Sequence, residues 1–178
     1  MKLMRWMMAC LIICAAAWAS DAPRGTVPRA APDKYDAHAE QNGVAIGATM
    51  LTPKQARKIF TTDVDRCCLV VEVALYPQKE GPTEVSLNDF TLRIVGQDIA
   101  AKPSSAKVVA WRSSRDQDRL RPTLITAMEL ELSEKGLPQG NTATPVSGYV
   151  YFALSKNKNA TYQLEYMHKD NKIVLALH

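Results

Sequence analysis

Short stretches of two-residue alternation, separated by turn-rich segments, recur along most of the chain and restrict its fold more than any other feature. Val44, Ile46, Ala48 and Met50 alternate in "GVAIGATML", and Leu69, Val71, Val73 and Leu75 do so in "LVVEVAL". Phe90, Leu92 and Ile94 share a face in "DFTLRIV", as do Leu124, Met128, Leu130 and Leu132 in "TLITAMELEL". Val150, Phe152 and Leu154 follow, then Tyr162, Leu164 and Tyr166, then Ile173, Leu175 and Leu177. Successive strand side chains point to opposite faces, so each pattern predicts a strand with one buried face. Seven strands are well marked, and "AKVVAW" near Val108 is a weaker eighth. Short turns join most of them and no long crossover helix is evident, which predicts antiparallel pairing. The expected class is all-β, a two-sheet sandwich of seven to eight strands.

One helix is signalled after the first strand. In "LTPKQARKIF" Thr52 serves as N-cap, Pro53 takes the first helical position, Gln55 completes a capping box, and Ala56, Ile59 and Phe60 follow at helical spacing. "SLND" before Phe90 has the Ser/Asp chemistry of a single turn.

The N-terminus reads as a targeting segment. Lys2 and Arg5 precede an apolar run from Trp6 to Ala16, and Ala17-Trp18-Ala19 is an A-x-A cleavage site. This predicts a signal peptide over residues 1–19, with a secreted or periplasmic product. The apolar run falls short of the about 20 residues of a membrane span. Lipidation at Cys14 is disfavoured because Ile13, not a small residue, precedes it. Residues 20–42 hold three prolines and few large aliphatic side chains, which predicts a flexible leader ahead of a domain over 43–178. Losing Lys2 and Arg5 from 22 basic residues leaves 20 against 18 acidic ones, a formal charge of +2, and nothing in that balance asks for nucleic acid as partner.

Two stretches carry a family resemblance. "LVVEVALYPQKEGPTEVSLNDFTLRIVGQD" and "PVSGYVYFALSKNKNATYQLEY", with their F-x-L and Tyr-x-Leu strands, resemble small bacterial secreted immunoglobulin-like domains, uncharacterised extracellular proteins. The resemblance spans Gly43 to Leu177 and implies an immunoglobulin-like sandwich and an exported location. It implies no catalytic residues. The capped helix and the missing Cys-Trp-Cys framework depart from a generic immunoglobulin pattern.

Cys67 and Cys68 in "DRCCLVVEVALYP" are the main candidate chemistry, as a disulfide or redox pair. Strand parity places Cys67 with Leu69 and Val71 on the core face, and Cys68 with Val70 and Glu72 on the outer face. On that reading Cys67 is a small buried apolar residue, and Cys68 is the sulfur able to bridge a second chain in a homodimer. A vicinal disulfide is the harder alternative, because neighbouring Cα atoms lie about 3.8 Å apart and disulfides prefer about 4.4 to 6.8 Å.

Partner surfaces have two candidates. Arg112, Arg115, Arg119 and Arg121 crowd one loop beside Trp111, where guanidinium forks could meet carboxylate or phosphate, although Asp116 and Asp118 neutralise half of that charge. Tyr149 and Tyr151 have outward parity and could offer a flat amphipathic surface, or pack beneath the leader or a neighbouring loop. Metal and cofactor chemistry find no support: there is no C-x-x-C or H-x-x-x-H, and the D-x-D of "RDQDR" is flanked by arginines. Neither a G-x-S-x-G elbow nor H-E-x-x-H is present. The expected function is a non-enzymatic, exported interaction module that meets a protein or envelope component; the alternative is a redox or disulfide-linked dimer built on Cys68.

Overall fold

In the computed structural model, residues 25–77, 81–114, 122–154, 156–157, 159–169 and 171–177 are described. In chain order they form β1 (Ala37–Gln41), β2 (Val44–Met50), α1 (Pro53–Ile59), β3 (Leu69–Pro77), β4 (Thr83–Val85), β5 (Phe90–Ile94), β6 (Ile99–Ala101), α2 (Ala106–Ser114), α3 (Pro122–Lys135), β7 (Gly140–Thr142), β8 (Val146–Phe152), β9 (Tyr162–His168) and β10 (Asn171–Leu177). The expected signal peptide, with Cys14, lies outside the described residues.

Two four-stranded antiparallel sheets dominate, with orders β1-β2-β3-β8 and β10-β9-β5-β6, while β4 pairs with β7. The alternating residues of six expected strands meet in one core between these sheets. Ile46, Ala48, Val71, Val73 and Leu75 from the first face Phe90, Leu92, Leu164, Tyr166 and Leu175 from the second. Each such side chain removed from water contributes about 1.5–3 kcal/mol, so period-2 patterning is enough to hold the two sheets together.

The expected helix is present as α1. Thr52 accepts from Gln55 N while Gln55 Oε1 accepts from Thr52 N at 2.8 Å, the reciprocal capping box. The single turn at "SLND" is also present, as a 3-10 turn over Leu87–Asp89 with Ser86 accepting from Asn88 N.

Three readings are corrected. "TLITAMELEL" is helix, not strand: Ile125, Met128 and Leu132 lie at i, i+3 and i+7 and pack together, Pro122 opens the helix, and Ala, Met, Leu and Glu are strong helix formers. The period-2 set of Leu124, Met128, Leu130 and Leu132 splits instead, with Leu124 and Leu130 exposed and Leu132 buried. "AKVVAW" is also helix, because Ser105 caps it through Val108 N and tertiary packing of Val109 and Ala110 overrides the β-branched pair.

The third correction concerns the leader. Ala37–Gln41 is a strand paired with β2, and residues from Gly25 onward pack against the first sheet. Glu72, with its side chain fully buried in β3, accepts from Gly25 N at 3.2 Å and from Arg29 Nη2 at 2.7 Å. Tyr76 Oη donates to Arg29 O at 2.7 Å, and Arg29 stacks over the Tyr35 ring at 4.4 Å. Tyr35, Ala45, Ala74 and Tyr76 form a small buried cluster beneath this strap. Few apolar residues suffice there because a buried carboxylate demands a cation and hydrogen-bond donors, and the strap supplies both.

Candidate functional site

The second apolar layer lies between the other face of the first sheet and the helices. Phe60, Val64, Val70, Val109, Ala110, Leu132, Tyr149 and Tyr151 build it, and the cysteine pair sits in this layer. Strand pairing begins at Leu69, whereas Val64–Arg66 form a 3-10 turn that ends on Cys67 at φ −118°, ψ −17°. The helical ψ of Cys67 breaks strand parity, so side chains that would diverge converge instead. The two Sγ atoms lie 2.6 Å apart.

Both assignments of the pair are therefore corrected. Cys67 does not join the core between the sheets, and Cys68 is not outward: it is 6% exposed, and Cys67 is the more open of the two. An intermolecular bridge through Cys68 would have to reach a buried sulfur. Cys67 Sγ also lies 3.4 Å from the Oγ of Ser113 on α2, a residue only 2% exposed. The hydrogen bond with Cys68 lowers the Cys67 thiol to about 7 against the burial that raises it, and Ser113 and Arg112 assist. Cys68 moves the other way, because it shares that hydrogen bond and is buried. The arrangement can hold a thiolate at Cys67 beside a protonated thiol at Cys68.

The tyrosines offered as a surface are covered. Tyr149 and Tyr151 are 3% and 4% exposed; Phe60, which caps α1, packs edge-on against both rings at 5.0 and 6.0 Å, and Tyr151 Oη donates to Leu132 O at 3.0 Å. Their parity is as expected, but the face they occupy lies beneath the helices. Burial raises both phenols. Arg112 falls in the last turn of α2, not in a loop, while Arg115, Arg119 and Arg121, with the D-x-D of "RDQDR", lie outside the described residues.

A polar clamp that the sequence did not reveal fixes this layer in place. Glu131 of α3 accepts from the backbone N and Oγ1 of both Thr61 and Thr62, at 2.7 to 3.0 Å, and from Lys135 Nζ at 2.7 Å. Burial pushes its carboxyl up, but Lys135 and the two threonines outweigh this and bring it down to about 2 from the ordinary 4.5. A depressed carboxyl stabilises the fold fully above its unfolded value, and that contribution drains away as the pH falls through the folded one. Glu131→Gln should therefore lower unfolding free energy by about 2 kcal/mol at pH 7. Urea titrations across pH should show wild type losing this advantage between 4.5 and about 2, with a shallower dependence in the variant.

Among the described residues, no group of three or more His, Cys, Asp or Glu side chains could hold a metal ion, and no helix is long and apolar enough to cross a membrane. A groove of about 220 Å³ opens where the start of α2 and the end of α3 meet β8, lined by Ser104, Ser105, Leu132, Ser133 and Tyr151 among others. Four of the nine large apolar side chains exposed among the described residues lie on these two helices: Val108 and Trp111 on α2, Leu124 and Leu130 on α3.

No family model and no curated protein matches the chain. Among solved structures it is similar to that of a candidate lipoprotein from Bacillus subtilis, YcdA, at 15% identity and a TM-score of 0.45, over 78% of this chain. The chain spans 37% of the length of that protein.

Proposed function

We propose that this protein is an exported, non-enzymatic interaction module with an immunoglobulin-like sandwich as scaffold and the α2–α3 pair as its contact surface, facing a protein of the cell envelope. The single observation that carries the reading is the apolar surface of those helices. Trp111 is 52% exposed, Leu124 49% and Leu130 59%, while Leu132 is the one fully buried residue of the 14 in α3. A helix of good intrinsic propensity that leaves two leucines in water presents apolar area for a partner. Export is supported by the basic, apolar and A-x-A order of residues 1–19.

Site-specific crosslinking in the native host tests this reading. A photoreactive residue in place of Val108 or Leu130 should capture the same envelope protein, and one in place of Lys54, exposed on α1, should not. Adding Leu130→Ser should cut the adduct formed from position 108 at least fivefold while leaving the melting temperature unchanged. Equal capture from position 54, or capture that survives Leu130→Ser, would remove the helices from the contact.

A further inference from the structure

We propose that Cys67 and Cys68 form a thiol–disulfide exchange site for low-molecular-weight disulfides, with Cys67 the attacking sulfur and Cys68 the resolving one. The inference is independent of the contact surface assigned to α2 and α3, and rests on three observations. The turn at Val64–Arg66 brings both sulfurs to the same side, 2.6 Å apart. Their accessibility is unequal: Cys67 is partly open, whereas Cys68 is buried at 6% exposure. Buried Ser113 aims its hydroxyl at Cys67 Sγ from 3.4 Å, where it can donate to a thiolate. Helix α2 thus sets a hydroxyl against the attacking sulfur, an arrangement that two inert core cysteines would not require. The lowered Cys67 thiol and raised Cys68 thiol agree with this division of roles.

The exchange balances as follows. Cys67 loses its proton to solvent and attacks one sulfur of a disulfide RS–SR, forming the mixed disulfide Cys67 Sγ–S–R and expelling RS⁻, which takes up a proton. Cys68 sulfur then attacks Cys67 sulfur and breaks its bond to SR. The second RS⁻ leaves and receives the proton that Cys68 gives up. Two protein thiols are oxidised to one disulfide, and one RS–SR is reduced to two RSH. The new bond joins Cα atoms only about 3.8 Å apart, short of the about 4.4 Å where ordinary disulfides begin. Two thiols therefore reopen it readily by the reverse path, and the site works as an exchanger, not as a staple.

The test uses the full chain with Cys10 and Cys14 replaced by Ser in every sample, reduced, then exposed to glutathione disulfide and followed by intact mass after alkylation. The expected product is a monomer that has lost both alkylatable thiols and retains no glutathione. Cys68→Ser and Cys68→Ala should each stop at one retained glutathione on Cys67, so a folding defect in either alone does not decide the result. Cys67→Ser should react at least tenfold more slowly than these two. In Cys68→Ala, Ser113→Ala should slow the adduct and shift its pH–rate profile upward. Wild type that retains two glutathiones, a covalent dimer, or equal rates for the Cys67 and Cys68 variants would overturn the proposal.

Discussion

Arg29→Ala should lower the free energy of unfolding by about 3–5 kcal/mol, the cost of leaving one partner of a buried ion pair uncompensated. Glu72 has no exposed side-chain surface, Arg29 is 14% exposed, and the pair closes at 2.7 Å. Removing the guanidinium leaves the carboxylate with Gly25 N, at 3.2 Å, as its remaining donor among those described above. It also removes the cation stacked on Tyr35 and the hydrogen bond from Arg29 Nη1 to Lys34 O. The strap should then detach, and limited proteolysis should cut between Gly25 and Tyr35 in the variant but not in wild type. A second substitution separates lost attraction from stranded charge. Glu72→Gln in the Arg29→Ala background removes the buried charge while keeping an acceptor for Gly25 N, so the double variant should recover at least a third of the loss in urea denaturation. If the double variant is as unstable as the single one, the cost lies in packing and not in the unpaired carboxylate.

Glu72 also shows where the sequence was legible and where it was not. The six strands that pack between the sheets were readable because each buries one alternate face in a single core, a requirement that composition and period express directly. An acid in the middle of "LVVEVAL" reads as a solvent-facing residue on the same logic. That logic fails when the second face is covered too, since a buried acid then needs a cation that lies 43 residues away in chain order, at Arg29. No local pattern points to it. Helix α3 is hidden for a related reason: "TLITAMELEL" satisfies both periods, and what decides is which residues find apolar neighbours. Ile125, Met128 and Leu132 find them in the layer over the first sheet, whereas Leu124 and Leu130 remain in water. The cysteine pair is visible in the sequence alone, but strand parity does not extend back to it. Strand geometry starts at Leu69, and the 3-10 turn before it reverses which sulfur is accessible.

Gly148→Ala should cost about 3 kcal/mol, the upper end of what overpacking a core side chain costs, and should act on the helical layer from a position in the sheet. Gly148 stands opposite Val73 on the inner face of β8. The chain leaving α3 crosses this point: Gly136 forms a parallel bridge with Tyr149, Leu137 N donates to Tyr149 O at 3.1 Å, and Leu137 enters the core between the sheets. A Cβ on Gly148 would overlap the N and Cα of Leu137 and the carbonyl carbon of Gly136. These are backbone atoms that cannot turn aside as a side chain would. The segment must lift away, withdrawing Leu137 from the core and loosening the end of α3, where Glu131, itself held by Lys135, clamps Thr61 and Thr62. Hydrogen exchange should therefore accelerate over Glu131–Leu137 and around Thr61, while β9 and β10 keep their protection relative to global stability. Gly136→Ala is the control, since its added carbon meets the Leu132 and Ser133 carbonyls at 3.3 Å and asks for a shift of a few tenths of an ångström. A Gly148→Ala protein that unfolds with wild-type free energy, or loses protection uniformly across both sheets, would show that this crossing does not couple the helices to the core.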